Sequence, residues 1–283
     1  MAAALVGALC AGAAPVRAQG SAAGSDALRL YVMDCGAMRG LPRERFLPDQ
    51  GEDGELSLVN RCYLVQHPQG LLLWDTGLPS ALSWWIVRTL AWVASLGEYD
   101  LELDRTLADQ LSEIGVAPAD IDYVAFSHLH TDHVGAANDF AGSTWLVQRP
   151  ELDVAFDGSG RAGFDASYYD ALEQSERRVL EGDHDVFGDG RVVILSAPGH
   201  TPGHQCLFLD LADTGPVVLS GDLYHTLRNR ELRLAPSFNV DREQSVRSME
   251  RIEAFLAERG ARLLIQHDPD SNRDVPLSPL YLE

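Results

Sequence analysis

Apolar runs separated by short polar stretches recur along most of the chain, and they predict a protein rich in β-strands. The runs contain many β-branched and aromatic side chains, which is typical of strands. We predict strands at Leu28–Met33, Leu58–Gln66, Leu71–Trp74, Tyr123–Ser127, Thr144–Gln148, Val192–Ser196, Gln205–Leu211, Val217–Ser220 and Leu263–Gln266.

Helical periodicity is strongest in two segments, Arg105–Ile114 and Arg242–Arg259. Gly115 and Gly260 follow these segments directly, as expected for the residue that ends a helix. Hairpin-like strand pairs come first and helices are interspersed later. This order favours an α/β (α+β) fold of mixed β-sheets with helices packed outside them over a simple doubly wound fold. No break in composition divides residues 28–283, so we predict one domain there.

The charge balance narrows the range of partners. The chain has 42 acidic and 22 basic residues, which gives a formal net charge of −20. An acidic protein of this size repels phosphate backbones, so a nucleic-acid partner is disfavoured. It also lacks the basic cluster that would recruit an anionic membrane.

The N-terminus is predicted to be a targeting segment. Residues 1–18 form a short apolar stretch that ends in a small-residue cleavage pattern, typical of a secretory signal peptide. Residues 19–27 would then be a flexible N-terminal segment, and the protein would be periplasmic or secreted. A disordered Ala-rich tail is the alternative interpretation.

Three cysteines remain after such a cleavage: Cys35, Cys62 and Cys206. A Cys35–Cys62 bridge could form in an oxidising compartment. The apolar neighbours of Cys62 and Cys206 instead favour buried free thiols, so free thiols are the expectation.

Histidine and aspartate residues are concentrated where predicted strands end. Three histidines and one aspartate lie within six residues, directly after the strand at Tyr123–Ser127, and three further candidates follow later in the chain. The set is His128, His130, Asp132, His133, His200, Asp222 and His267. Imidazole and carboxylate are ligands that zinc prefers, and a catalytic site keeps a position open for water. The pattern therefore predicts metal-assisted hydrolysis.

Four motifs containing these residues resemble the metallo-β-lactamase superfamily. They are His128-x-His130-x-Asp132-His133, the run Pro198–His204, Ser220-Gly221-Asp222 and Gln266-His267, with Asp75-Thr76-Gly77 similar to the family's first motif. The resemblance covers about residues 28–283 and implies an αββα sandwich with a metal groove at one edge.

The resemblance also implies how the ligands are divided. His128, His130 and His200 would hold one ion, whereas Asp132, His133 and His267 would hold the other, with Asp222 bridging them. Two Zn²⁺ ions are expected, with Co, Mn or Fe as alternatives, and a hydroxide held between them would attack the substrate. Asp75 would orient a ligand histidine or serve as a turn residue. His204 is expected to be a buried, hydrogen-bonded loop residue.

Within the superfamily, the chain is most similar to the N-acyl-homoserine lactonase branch. The stretch Met33–Gly36 and the segment Pro236–Asp241 support this likeness, and Asp222 argues against a true β-lactamase. That branch usually has a substrate-binding Tyr three residues after the bridging Asp, where this chain has His225 beside Tyr224. We therefore expect Asp132, His225 and Tyr224 to act in catalysis, with His225 donating a hydrogen bond to a substrate oxygen.

An apolar segment, Ser80–Leu96, contains Trp84 and Trp85 and is too short, with Arg88 inside it, for a stable membrane span. It could line an acyl-chain groove, pack in the core, or contact a second copy of the chain in a homodimer. The residues expected to line the groove are Met38, Leu41, Phe46, Trp84, Trp85 and Phe238. The small-molecule partner would be an acylated lactone. Another exported ester hydrolase of the superfamily, acting on organophosphates or aryl esters, and a non-catalytic binding relative are the alternatives.

Overall fold

The fold consists of two mixed β-sheets, each covered by helices on its outer face. The computed structural model describes residues 27–51, 53–79, 100–158 and 163–283, and the predicted signal peptide and the segment Ser80–Leu96 with Trp84 and Trp85 lie outside these ranges. In the described ranges, no helix combines the length and the apolar character needed to cross a membrane.

The first sheet has the order β13-β1-β2-β3-β5-β6-β7, with β4 paired to β1. Its strands are β1 (Arg29–Pro42), β2 (Glu55–His67), β3 (Gly70–Trp74), β4 (Asp100–Glu102), β5 (Tyr123–Ala125), β6 (Thr144–Gln148), β7 (Arg177–Leu180) and β13 (Tyr281–Leu282). Strands β3, β5, β6 and β7 run parallel, so their carboxyl ends meet at one edge.

The second sheet has the order β12-β11-β10-β9-β8. Its strands are β8 (His184–Asp185), β9 (Val192–Ser196), β10 (Gln205–Leu211), β11 (Gly215–Leu219) and β12 (Arg262–Leu264). The predicted strands at Thr144–Gln148, Val192–Ser196 and Gln205–Leu211 are confirmed to the residue.

Six α-helices complete the described part of the fold: α1 (Arg43–Phe46), α2 (Leu107–Glu113), α3 (Thr131–Val134), α4 (Arg149–Ala155), α5 (Leu227–Leu232) and α6 (Arg242–Arg259). Helix α6 begins where the Asp241 side chain accepts from the Gln244 amide, and it ends at Gly260 in the left-handed conformation with φ 62°. Both signals are local, which explains why its predicted bounds are correct.

The core has three layers of apolar contact. Residues from both sheets, such as Trp74 and Leu207, pack face to face between them. Helix α2 packs on the outside of the first sheet around Leu111, and α6 packs on the outside of the second sheet around Met249. These layers confirm the expected αββα sandwich.

One expectation about the cysteines is wrong. Cys35 and Cys62 form a disulfide between β1 and β2, with Cα atoms 5.8 Å apart, whereas Cys206 is a buried free thiol as expected. In the strand register Cys62 lies opposite Met33, and the pairing is interrupted just after Asp34. This irregularity brings Cys35 alongside Cys62, which strand periodicity alone does not reveal.

Candidate metal centre

Loops from both sheets bring the seven predicted ligand residues to one edge of the sandwich. His128 and His130 follow β5, and Asp132 and His133 lie in α3 directly after them. The remaining three lie just after strands of the second sheet: His200 after β9, Asp222 after β11 and His267 after β12. The sheets fix where each loop starts, which is why residues distant in sequence converge here.

The first group contains His128, His130, His200 and Asp222. The Nε2 atom of His200 lies 3.1 Å from His128 Nε2, 3.1 Å from His130 Nδ1 and 3.2 Å from Asp222 Oδ2. Tetrahedral zinc with bonds of about 2.0–2.1 Å requires ligand atoms roughly 3.3 Å apart. The spacing therefore fits a divalent transition-metal ion.

The second group contains Asp132, His133 and His267. The Nε2 atoms of His133 and His267 are 3.2 Å apart, and Asp132 Oδ2 lies 3.6 Å and 3.7 Å from them. Asp132 is the most exposed of these three residues, with 21% of its side chain accessible. It therefore faces the open side of the centre.

Asp222 has one carboxylate oxygen directed at each group. Its Oδ2 faces His200, whereas Oδ1 lies 3.2 Å from His133 Nε2 and 3.0 Å from His267 Nε2. Oδ1 is buried and has no hydrogen-bond partner among the described residues. A buried carboxylate oxygen without a donor is costly unless a cation satisfies it. This geometry fits a carboxylate that bridges two ions.

The outer nitrogens of four ligand histidines are held by hydrogen bonds. His200 Nδ1 donates to Asn239 Oδ1 at 3.0 Å, and His267 Nδ1 donates to the Val59 carbonyl at 2.8 Å. The Nδ1 atoms of His133 and His128 lie 3.0 Å from Asp75 Oδ2 and 3.1 Å from Ser127 Oγ, respectively. A proton on Nδ1 leaves the Nε2 lone pair free for a metal. Asn239 Oδ1, the Val59 carbonyl and Asp75 Oδ2 can only accept, so they select the ligating tautomer of His200, His267 and His133.

Asp75 and His204 take the roles expected of them beside the ligands. Asp75 is fully buried and orients His133 through the contact above, rather than acting only in a turn. His204 is buried: its Nδ1 donates to the Ala197 carbonyl at 3.0 Å, and its Nε2 accepts from the Asp222 amide at 2.9 Å. His204 thus holds the backbone of Asp222, and both of its ring nitrogens are engaged by backbone groups.

The two groups differ in their affinity for protons. Burial lowers the pKa of His130 and of His200 to about 3 each, and burial with neighbouring histidines lowers the pKa of His128. Burial also opposes the charging of His133 and His267, but the surrounding carboxylates outweigh it and raise the pKa of both. The first group therefore stays deprotonated at lower pH than the second.

This difference predicts stepwise metal release on acidification. A proton on a ligand histidine competes with the metal, so the ion at the group with raised pKa values is lost first as the pH falls. We expect mass spectrometry of the dialysed protein to show that one metal equivalent is lost first as the pH is lowered, while the other is retained to lower pH. The variant His130→Ala weakens the first group, so its remaining metal is the one at the second group. That metal should be released at the same pH as the first equivalent lost by the wild type. Simultaneous loss of both equivalents would contradict the assignment.

His225 and Tyr224 are adjacent but point in opposite directions. His225 is buried, and its Nε2 lies 2.9 Å from Asp222 Oδ2, so it contacts the carboxylate that faces both ligand groups. The expected catalytic role of Tyr224 is wrong, because its ring packs with Met249 under α6 and its hydroxyl lies 3.3 Å from Glu253 Oε1. An extended backbone at Tyr224, with φ −137° and ψ 139°, places successive side chains on opposite sides.

Four of the residues expected to line a substrate groove form one apolar cluster beside the centre. Its buried members are Met38, Leu41, Phe46, Leu47, Leu56 and Leu58, and Phe238 packs against them. The rings of Phe46 and Phe238 lie 5.2 Å and 5.4 Å from the His225 ring. The cluster therefore reaches the metal ligands through His225.

The supporting roles of several residues did not emerge from the sequence. Asn239 holds His200, and Asn60 donates to the Asp132 carbonyl at 2.6 Å. Gln266 donates to Asp75 Oδ2 at 2.9 Å, and Ser127 also contacts Asp75. Ser127 and Gln266 could have been recognised in the sequence only because each directly precedes a ligand residue. Asn60 and Asn239 reach the site through tertiary contacts alone.

Comparison with known proteins agrees with this geometry. The model of the metallo-beta-lactamase superfamily matches residues 58–259. The N-acyl homoserine lactonase AttM of Rhizobium radiobacter is 29% identical over 265 residues, which cover 90% of this chain and 98% of AttM.

Two solved structures share the fold over most of their length. One is an N-acyl homoserine lactone hydrolase with N-hexanoyl-L-homoserine at its catalytic metal centre; it is 25% identical with a TM-score of 0.77, covering 91% of this chain and 100% of that one. The other is a variant of Bacillus thuringiensis AiiA with bound N-decanoyl-L-homoserine, 26% identical with a TM-score of 0.78 and the same coverage. With its matching motifs, ligand set and αββα fold, this chain belongs to the metallo-β-lactamase superfamily.

Proposed function

We propose that the protein is a two-zinc hydrolase that opens the lactone ring of N-acyl-homoserine lactones, a reaction that quenches bacterial signalling. The observation that carries the proposal is the bridged ligand set around Asp222, in a chain that aligns over 90% of its length with such a lactonase. Imidazole and carboxylate ligands suit zinc, and they also accept cobalt, manganese or iron.

The ligand residues of this chain fit a pair of ions, and each has a definable task. When bound, the ions would supply a hydroxide near neutral pH and polarise the ester carbonyl. Asp222 faces each ligand group with one of its oxygens and would contribute a ligand to both ions. Asp132 offers its carboxylate on the exposed side, where substrate and water enter.

The surroundings of the centre suit an acyl chain. Phe46 and Phe238 form an apolar wall next to His225. Val240 and Leu227 are exposed by 53% and 44%. Both lie next to ligand loops: the Val240 amide donates to the His200 carbonyl, and the Leu227 amide donates to the Asp268 side chain. Apolar side chains exposed beside a polar centre favour a substrate that has a polar head and an apolar tail.

We further propose that the protein is exported, to the periplasm or out of the cell. The Cys35–Cys62 disulfide supports export to an oxidising environment, because such bonds persist mainly outside the cytosol. A signal peptide at residues 1–18 would provide the route.

A substrate panel tests the function. Purified protein loaded with zinc is offered N-acyl-homoserine lactones from butanoyl to dodecanoyl, a phosphotriester and an aryl ester. We expect ring opening of the lactones to exceed turnover of the other esters. Turnover of the phosphotriester or aryl ester alone would favour the other ester hydrolases, and two bound metals without any hydrolysis would favour a binding protein.

Replacing His225 with Phe should lower lactone turnover by about 10- to 100-fold, the range typical of residues that orient metal ligands. The substitution removes the imidazole nitrogen that lies 2.9 Å from Asp222 Oδ2 but keeps a flat ring against Phe46 and Phe238. All seven ligand residues remain, so metal content measured at saturating zinc should be unchanged. Loss of a metal equivalent would show that His225 itself ligates.

A further inference from the structure

Ser127 lies between the two ligand groups and contacts one histidine of each. Its Oγ is 3.1 Å from Nδ1 of His128, in the first group, and 3.1 Å from Nδ1 of His133, in the second. The same oxygen is 2.9 Å from Asp75 Oδ2, and all four side chains are buried.

The protons of this cluster can be assigned from the donors available. Asp75 Oδ2 accepts the hydroxyl proton of Ser127, the Nδ1 proton of His133 and an Nε2 proton of Gln266, while Oδ1 accepts the Ser127 amide at 2.6 Å. A serine hydroxyl has one proton and two lone pairs. Since its proton goes to Asp75, Ser127 can only accept from His128. His128 must therefore be protonated on Nδ1, which leaves Nε2 unprotonated for a metal.

From this arrangement we propose that Ser127 is a positioning residue that couples the two metal sites. Its hydroxyl selects the ligating tautomer of His128 and, through Asp75, is linked to the orientation of His133. The inference rests on the two-metal centre of the proposed function, but not on the identity of the substrate.

Tight packing means that water cannot replace the hydroxyl. A Cβ atom added at Gly221 would lie 2.5 Å from Ser127 Cβ and 3.1 Å from its Oγ. The void left by removing one oxygen atom is smaller than a water molecule's share of liquid volume, about 30 Å³. In Ser127→Ala, His128 Nδ1 would have no partner, so the tautomer with the proton on Nε2, which cannot ligate through that atom, becomes accessible.

The first experiment compares Ser127→Ala with wild type and with Ser143→Ala. Ser143 is a matched control, because it is also buried and its hydroxyl donates only to the Ile121 carbonyl, at 2.8 Å, just before β6. Zinc affinity is measured by competition with a chromophoric chelator. We expect both zinc equivalents to bind about 10- to 100-fold more weakly in Ser127→Ala. Ser143→Ala should bind like wild type.

Unchanged affinity in folded Ser127→Ala, or weakening confined to one equivalent, would overturn the coupling. Binding of two equivalents by wild type reports separately on the proposed metal centre. A second measurement needs no variant: ¹⁵N NMR of the zinc-loaded wild-type protein should show His128 protonated on Nδ1, with slow exchange of that proton. Protonation on Nε2 would overturn the assignment.

Discussion

Replacing Asp222 with Asn is expected to lower lactone turnover by more than about 100-fold, since even residues that only orient ligands are worth ~10–100-fold. Asp222 is the one residue of the seven whose two oxygens face different groups. An amide is neutral and keeps only one oxygen, so one group loses its contact and the centre loses a negative charge. Both zinc equivalents should therefore bind more weakly.

The measurement pairs turnover with metal per chain after gel filtration. Asp183→Asn is a suitable control, because Asp183 is partly exposed and pairs with Arg251 on the surface, and the Asn oxygen can still accept from the Ser196 amide. It should behave like wild type in both assays. If Asp222→Asn kept full turnover and two metal equivalents, the bridging assignment would be wrong.

Replacing Asp75 with Asn is expected to lower the free energy of unfolding of the metal-free protein by about 3–5 kcal/mol, as for other broken buried charge networks. The Asp75 carboxylate accepts from the Ser127 amide, the Ser127 hydroxyl, His133 Nδ1 and Gln266 Nε2. In Asn, an NH₂ group replaces one carboxylate oxygen, so it would face groups that themselves donate hydrogen bonds. Its NH₂ and the buried donors around it would then lack acceptors.

Backbone strain does not confound this comparison. Asp75 has a positive φ of 58°, and asparagine tolerates that conformation about as well as aspartate. Urea denaturation in the presence of chelator measures the effect, and Asp183→Asn should change stability by no more than about 0.5 kcal/mol. An unchanged denaturation midpoint for Asp75→Asn would show that this carboxylate does not organise the site.

The metal ligands could be predicted because their signals are local. His128, His130 and His133 lie within six residues after an apolar strand, and the other ligands also follow strand ends. The long strands were located for the same reason, although β1 continues to Pro42, well beyond its predicted end at Met33. Strand β7 was missed because it starts with two exposed arginines, and β8 and β13 have only two residues each.

Features that depend on tertiary contact or on side-chain direction could not be predicted. Whether Tyr224 or His225 reaches the centre depends on which side of an extended segment faces the ligand groups. The Cys35–Cys62 bridge depended on an irregularity in strand pairing. Asn239 meets His200 across 39 residues, and the Val59 carbonyl meets His267 across 208. No periodicity in the sequence encodes such pairs.

Lactone hydrolysis as a function of bound zinc tests directly whether the centre acts through two ions. Metal-free protein is titrated with zinc, and turnover of N-hexanoyl-homoserine lactone is followed at each step. The bridged centre predicts that turnover reaches its full value only when the second equivalent is bound. Full turnover by metal-free protein, or saturation at one equivalent, would contradict a centre that acts through two ions.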